Sequence, residues 1–156
     1  MTKVNEKYYT NLEKHDTKDV NTGHINGSLT VIYRDYDGII ENDLKMMYVS
    51  SVFPNEVKGP HLHTQRNSYF TCIHGKVVFI IKDVDGKYIE IESSEEKPVL
   101  VRIPKGISSA HVNPTKEVGR VLALANIAWR PNDNEMENVS FTDYDWQKWG
   151  LSKKEI

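Results

Sequence analysis

A single cysteine, Cys72, stands among the 156 residues, inside an apolar segment. No disulfide framework can therefore hold this chain, and its stability has to come from a buried core. Long apolar runs are absent as well, which excludes a membrane-spanning helix. The opening residues Met1-Thr2-Lys3-Val4-Asn5-Glu6-Lys7 lack the apolar centre of a secretion signal. Neither sign of charge dominates: 20 Lys and Arg stand against 22 Asp and Glu, for a net charge of -2. Mixed in this way, the charges form no basic stripe of the kind nucleic acid requires. Repeats are missing too. These absences point to a cytoplasmic protein whose partner is a small molecule, with neither nucleic acid nor a membrane involved. The length suits one domain spanning residues 1–156.

What the chain does contain is short runs of β-branched and aromatic residues separated by Gly, Pro, Asn and Asp. Ser28–Arg34, Leu44–Phe53, Tyr69–Ile73 and Lys76–Lys82 each read as a strand. Asp83-Val84-Asp85-Gly86 supplies turn chemistry before the alternating Lys87–Glu92, which makes a hairpin. Pro98–Ile103 and Arg120–Ile127 are further strands, set apart by the Pro104-Lys105-Gly106 turn and a loop near Asn113-Pro114. Many short strands at regular spacing predict an all-β fold, an antiparallel barrel or jelly roll over residues 27–128. The polar arm 1–21 precedes it. Residues 129–156 form a C-terminal loop and a short helix that carries Trp146, Trp149 and a lysine pair. Arms of this kind exchange between subunits, so a homodimer is expected.

Chemistry concentrates in Gly59-Pro60-His61-Leu62-His63-Thr64-Gln65-Arg66. Two histidines one residue apart share a face of an extended strand. Imidazole titrates nearest to neutrality, so the pair suits either proton transfer beside a carbonyl or metal coordination. His61 is the expected base, His63 a donor or proton shuttle, and Tyr48 or Tyr69 the acid on the opposite face. Lys58, Arg66 and Arg102 are the candidate cations for a phosphate-bearing ligand. Trp129 offers a ring for stacking. The run Asn132–Glu137 reads as an acidic loop, and His111 as a loop or rim residue.

Gly59-Pro60-His61-Leu62-His63, then Gly75, then Ile103-Pro104-Lys105-Gly106 and His111, resemble the two motifs of the cupin (RmlC-like) superfamily. The resemblance covers about residues 27–146 and implies the cupin β-barrel. Within it, Lys58-Gly59-Pro60-His61 and Asn26-Gly27-Ser28-Leu29 are similar to motifs of dTDP-4-dehydrorhamnose 3,5-epimerase. Gly59–His63 and Phe141-Thr142-Asp143-Tyr144-Asp145-Trp146 are similar to those of the WxcM-like 3,4-ketoisomerases. Both resemblances imply a cofactor-free enzyme that removes a proton beside the ketone of a nucleotide-linked 4-keto-6-deoxy sugar, in polysaccharide precursor synthesis. They imply catalytic roles for His61, His63 and Tyr48, and ligand contacts for Lys58, Arg66, Ser68, Tyr69, Arg102 and Trp129.

The chain also departs from these families. Asn67 and Ser68 stand where metal-binding cupins place a glutamate, Ser68 occupies the place of an epimerase lysine, and Glu155 is what the sequence offers as the carboxylate that orients the base. Two alternatives stay open: a metal-dependent enzyme using His61, His63 and His111, and a sugar-binding cupin without turnover.

Overall fold

The run Lys76-Val-Val-Phe-Ile-Ile-Lys82 has apolar residues at consecutive positions rather than alternate ones, which fits a strand buried on both faces. In the computed structural model, which describes residues 7–151 and 156, all five of its inner residues are indeed buried. Among the described residues there are twelve strands: β1 (Tyr9–Asn11), β2 (Glu13–Lys18), β3 (Ile25–Val31), β4 (Met46–Val52), β5 (Val57–His63), β6 (Ser68–His74), β7 (Lys76–Lys82), β8 (Tyr88–Ser94), β9 (Val99–Ile103), β10 (Ser108–Val112), β11 (Gly119–Ala125) and β12 (Met136–Asn138). Two five-stranded sheets, β1-β9-β6-β11-β4 and β12-β5-β10-β7-β8, pack face to face, and every pairing is antiparallel. β2 and β3 form a separate two-stranded hairpin. This is a jelly-roll arrangement, as the strand pattern predicts.

Three apolar layers follow from side-chain alternation. Between the sheets lie Val52, Phe70, Val77, Phe79, Ile81, Val101 and Val121. The opposite face of β7, with Val78 and Ile80, is covered by Phe141, Tyr144 and Trp146 from the C-terminal segment. The outer face of the other sheet carries Tyr69, Leu100 and Leu124 beneath Ile40. Each large apolar side chain so buried stabilises the fold by roughly 1.5–3 kcal/mol. The β7–β8 turn forms where the sequence puts it: Gly86 takes φ +83°, its N–H donates to the Asp83 carbonyl at 2.9 Å, and Lys82 pairs with Tyr88.

The short helix expected in the C-terminal segment is, among the described residues, a single 3-10 turn, Trp146–Trp149, closed by Gly150 in the left-handed region. Two expectations change. Residues 132–137 are not merely a loop, because Met136–Asn138 pairs with β5. His111 sits on a strand, β10, rather than in a loop or at the rim. The lysine pair 153–154 and Glu155 lie outside the described residues. No described helix is long and apolar enough to cross a membrane.

Candidate active site

His61 and His63 reach one cavity by strand alternation, and Lys58 joins them through a break in that alternation. Ser109 on β10 lies opposite His61, whereas His111 lies opposite Lys58, so three steps along β5 match two along β10. The extra residue falls at Gly59-Pro60. Gly59 takes φ +91°, and a Cβ there would meet the Ser109 carbonyl oxygen at 3.0 Å, so glycine is required. A regular strand would send Lys58 and His61 to opposite faces; the bulge turns both inward.

The cavity is about 200 Å³ and lies between β4, β5 and the start of β6. Of the residues expected from the sequence, it brings together Tyr48, Lys58, His61, His63, Arg66 and Ser68, with His111 among the lining. Tyr69 and Arg102 are not there. Tyr69 follows Ser68 on β6 and so faces the other side of the sheet. Its hydroxyl donates to Asn42 Oδ1, and it pairs in register with Arg102, which donates to the Tyr9 carbonyl and to Thr10. These two line a separate outer depression with Asp37 and Glu41. Trp129 is 62% exposed beyond the end of β11 and does not line the cavity.

Each histidine is held from behind. His61 Nδ1 lies 3.1 Å from Asn138 Oδ1, and His63 Nδ1 lies 2.7 Å from Glu135 Oε2. With both Nδ1 positions engaged, the Nε2 atoms are left for a ligand. Glu135 is 4% exposed. Its other oxygen accepts the backbone N–H of Arg66 at 2.9 Å and of Gln65 at 3.3 Å. Burial works against its charged form, but the His63 ring and these amides outweigh it and hold the carboxyl below its usual range. Burial, helped by the nearby Lys58 and His63, pushes His61 down, against the bond to Asn138. His111, edge-on to Phe70 and Phe79 at 4.6 and 4.7 Å, is driven by burial down to about 3 and stays neutral. Burial pushes the Tyr48 hydroxyl up, with Arg66 opposing.

Glu135, like Asn138 behind His61, is a site residue that sequence reasoning missed. It sits in the polar run Asn132-Asp133-Asn134-Glu135, where Asn132 and Asn134 take positive φ. The turn-forming asparagines were a legible signal; the burial of the glutamate that follows them was not. Among the described residues no group of three His, Cys, Asp or Glu side chains is arranged to hold an ion.

Residues 10–146 match the family described as FdtA: WxcM-like, C-terminal. The chain belongs to this WxcM-like family. Among solved structures, WxcM-like residues of this chain resemble the capsular polysaccharide assembling protein CapF of Staphylococcus aureus, at 25% identity and a TM-score of 0.59, over 63% of this chain and 29% of CapF. The chain thus spans under a third of CapF's length. A dTDP sugar isomerase from Desulfovibrio desulfuricans G20 aligns with a TM-score of 0.74 at 16% identity, covering 93% of this chain and 92% of its own. ChmJ, a 3'-monoepimerase from Streptomyces bikiniensis solved with dTDP-quinovose, aligns at 0.71 with 15% identity, over 92% and 72%. These two share the RmlC-like cupin fold with this WxcM-like chain. No curated protein matches it.

Proposed function

We propose that this WxcM-like protein is a cofactor-free isomerase or epimerase of a nucleotide-linked 4-keto-6-deoxy sugar, working by proton abstraction beside the ketone in polysaccharide precursor synthesis in the cytoplasm. The observation that carries the reading is the His63–Glu135 pair, set beside His61 and facing Tyr48 in one cavity. A base that takes a proton from carbon becomes a cation. The buried carboxylate stabilises that cation on His63, because a hydrogen bond to a charged group contributes about 1.5–3 kcal/mol. On His61 the cation is disfavoured by burial and by the neighbouring charges. The geometry therefore favours His63 as the base, in place of His61.

In the proposed mechanism, Glu135 accepts the Nδ1–H of His63 and fixes Nε2 toward the α-carbon. His63 removes the proton, and the electron pair moves onto the carbonyl oxygen to form an enolate. His61, neutral and steadied by Asn138, receives or returns a proton at the neighbouring carbon. Tyr48, in its phenol form, serves in this reading as a donor from the facing sheet. Lys58 and Arg66 supply positive charge for the substrate. General acid–base catalysis of this kind accelerates reaction by roughly 10²- to 10⁴-fold.

A homodimer is part of the reading. Among the described residues the β2–β3 hairpin pairs only with itself, a two-stranded ribbon is marginal alone, and Ile25, Leu29, Met47 and Val49 leave apolar surface exposed. Light scattering reads this directly as the mass of one chain or of two.

The function is tested by incubating EDTA-treated protein with dTDP-4-keto-6-deoxyglucose in D₂O and following the ring protons by NMR. Deuterium at C3 or C5, or a carbonyl moved to C3, is the expected result. Absence of exchange with retained binding identifies a sugar-binding cupin; exchange restored only by a divalent ion identifies a metalloenzyme.

A further inference from the structure

Two polar atoms that line the cavity have no partner. Arg66 Nε and Ser68 Oγ are both buried without a hydrogen bond. The Arg66 side chain is 7% exposed, and its Nε stands 3.8 Å from Glu135 Oε2, beyond hydrogen-bond reach; that oxygen is taken by His63 at 2.7 Å. Ser68 is 3% exposed. Leaving a buried donor unpaired costs about 1–3 kcal/mol, so two such atoms at one place are a costly arrangement to keep, even with the Arg66 charge set near Glu135 and beside Tyr48. The two lie two residues apart where the chain enters β6, on the cavity side and across from the histidine strand. The cavity thus has an imidazole wall on β5 and a donor wall at β6.

We infer that Arg66 and Ser68 form an oxygen-binding subsite for the carbonyl oxygen of the ligand, and hold it as it becomes an enolate. This inference rests on the function proposed above and adds the discrimination that the site makes: a ketone at the reacting carbon rather than a hydroxyl. A planar guanidinium edge and a hydroxyl both donate, and a carbonyl oxygen with two lone pairs accepts from both. A sugar hydroxyl offers the same pair a competing donor hydrogen. Oxygen on the donor wall also places the adjacent carbon toward the imidazole wall, as deprotonation requires. Charge develops on that oxygen only as the proton leaves, so the subsite binds the transition state more strongly than the ground state.

The test compares wild type with Ser68→Ala and Arg66→Lys for thermal unfolding, for binding of dTDP-4-keto-6-deoxyglucose and of dTDP-glucose by calorimetry, and for deuterium uptake. Ser68→Ala should melt no lower than wild type, since it removes an unpaired hydroxyl, while uptake falls about 10²- to 10³-fold. Both variants should lose the preference for the keto compound, and Ser68→Ala should bind dTDP-glucose unchanged. Arg66→Lys keeps the charge and loses the fork, so a fall in its uptake with an unchanged melting temperature supports the subsite. Equal weakening toward both compounds, a lower melting temperature for Ser68→Ala, or unchanged uptake in either variant overturns it. If wild type binds the keto compound without exchange, the function fails as turnover, and the keto preference alone decides the subsite. If wild type shows no preference for the keto compound, or binds neither, the subsite is overturned.

Discussion

Glu135 Oε2 lies 2.7 Å from Nδ1 of His63, although 72 residues separate them, and the carboxylate is almost wholly buried. The bond joins the turn before β12 to the end of β5 and sets which nitrogen of His63 faces the cavity. Its strength as a pair depends on the Gln65 and Arg66 amides that hold the other oxygen.

Replacing that carboxylate by its amide should leave the fold in place and remove the function. Glu135→Gln keeps shape and two hydrogen-bonding groups, but an amide no longer stabilises the imidazolium and can hold the wrong tautomer. Deuterium uptake should fall roughly 10²- to 10⁴-fold. Uptake within a factor of three of wild type, with an unchanged circular dichroism spectrum, would exclude His63–Glu135 as the catalytic pair.

The two histidines should separate in their effects. His63→Ala should abolish exchange altogether. His61→Ala should keep exchange at one carbon and lose the net conversion of substrate, because the first deprotonation belongs to its neighbour. Since burial holds His61 below its ordinary value of 6.5, its ring should stay neutral as pH falls through 6.5, which its own imidazole resonances follow. NMR of each variant across a pH series reads both quantities, and loss of exchange in His61→Ala alone reverses the assignment.

His111 predicts a pH dependence of stability. Its ordinary value is 6.5, and in the folded chain it lies at about 3. Between those values the unfolded chain binds a proton that the folded chain does not. The folded state is therefore disfavoured progressively as pH falls from 6.5 toward 3, by up to about 1.4 kcal/mol per pH unit. His111→Phe, which keeps a ring between Phe70 and Phe79, should lose this dependence. Urea unfolding of both proteins at pH 7 and pH 5 measures it; a gap between them that does not change with pH contradicts the burial of a neutral ring.

Gly59 and Gly86 give a matched comparison of strain. Both take left-handed φ, +91° and +83°, but a Cβ at Gly86 meets nothing within 4 Å, whereas one at Gly59 meets backbone. Gly86→Ala should cost about 1–2 kcal/mol from conformation alone. Gly59→Ala should cost more, about 2–4 kcal/mol, and should also lower activity by displacing Lys58 and His61. Equal melting temperatures for the two variants would show that the bulge relaxes freely.

Much of the architecture was legible locally. β7 appears as an unbroken apolar run because both its faces are buried, and the β7–β8 hairpin appears because Asp83-Val84-Asp85-Gly86 supplies its own turn chemistry. β10 and β12 were not legible. Ser108–Val112 and Met136–Asn138 have little β-branched or aromatic content, and they are strands because β5 and β7 offer them backbone partners. Within the site, His61, His63 and Lys58 are close in sequence and could be grouped by spacing, whereas Tyr69 and Arg102 could not be told from cavity residues. One residue of strand parity separates Tyr69 from Ser68, and parity sends it to the far face.

By itself the sequence determined the class of fold, the absence of disulfides, and a histidine pair on one strand, since alternation, turn residues and i, i+2 spacing act over a few residues. Tertiary structure decided which side chains meet that pair. Glu135 and Asn138 arrive through the pairing of β12 with β5, and Tyr48 and Ser68 through the facing sheet. Those contacts depend on which strands become neighbours, and that is settled by burial of the whole core rather than by any local run of residues.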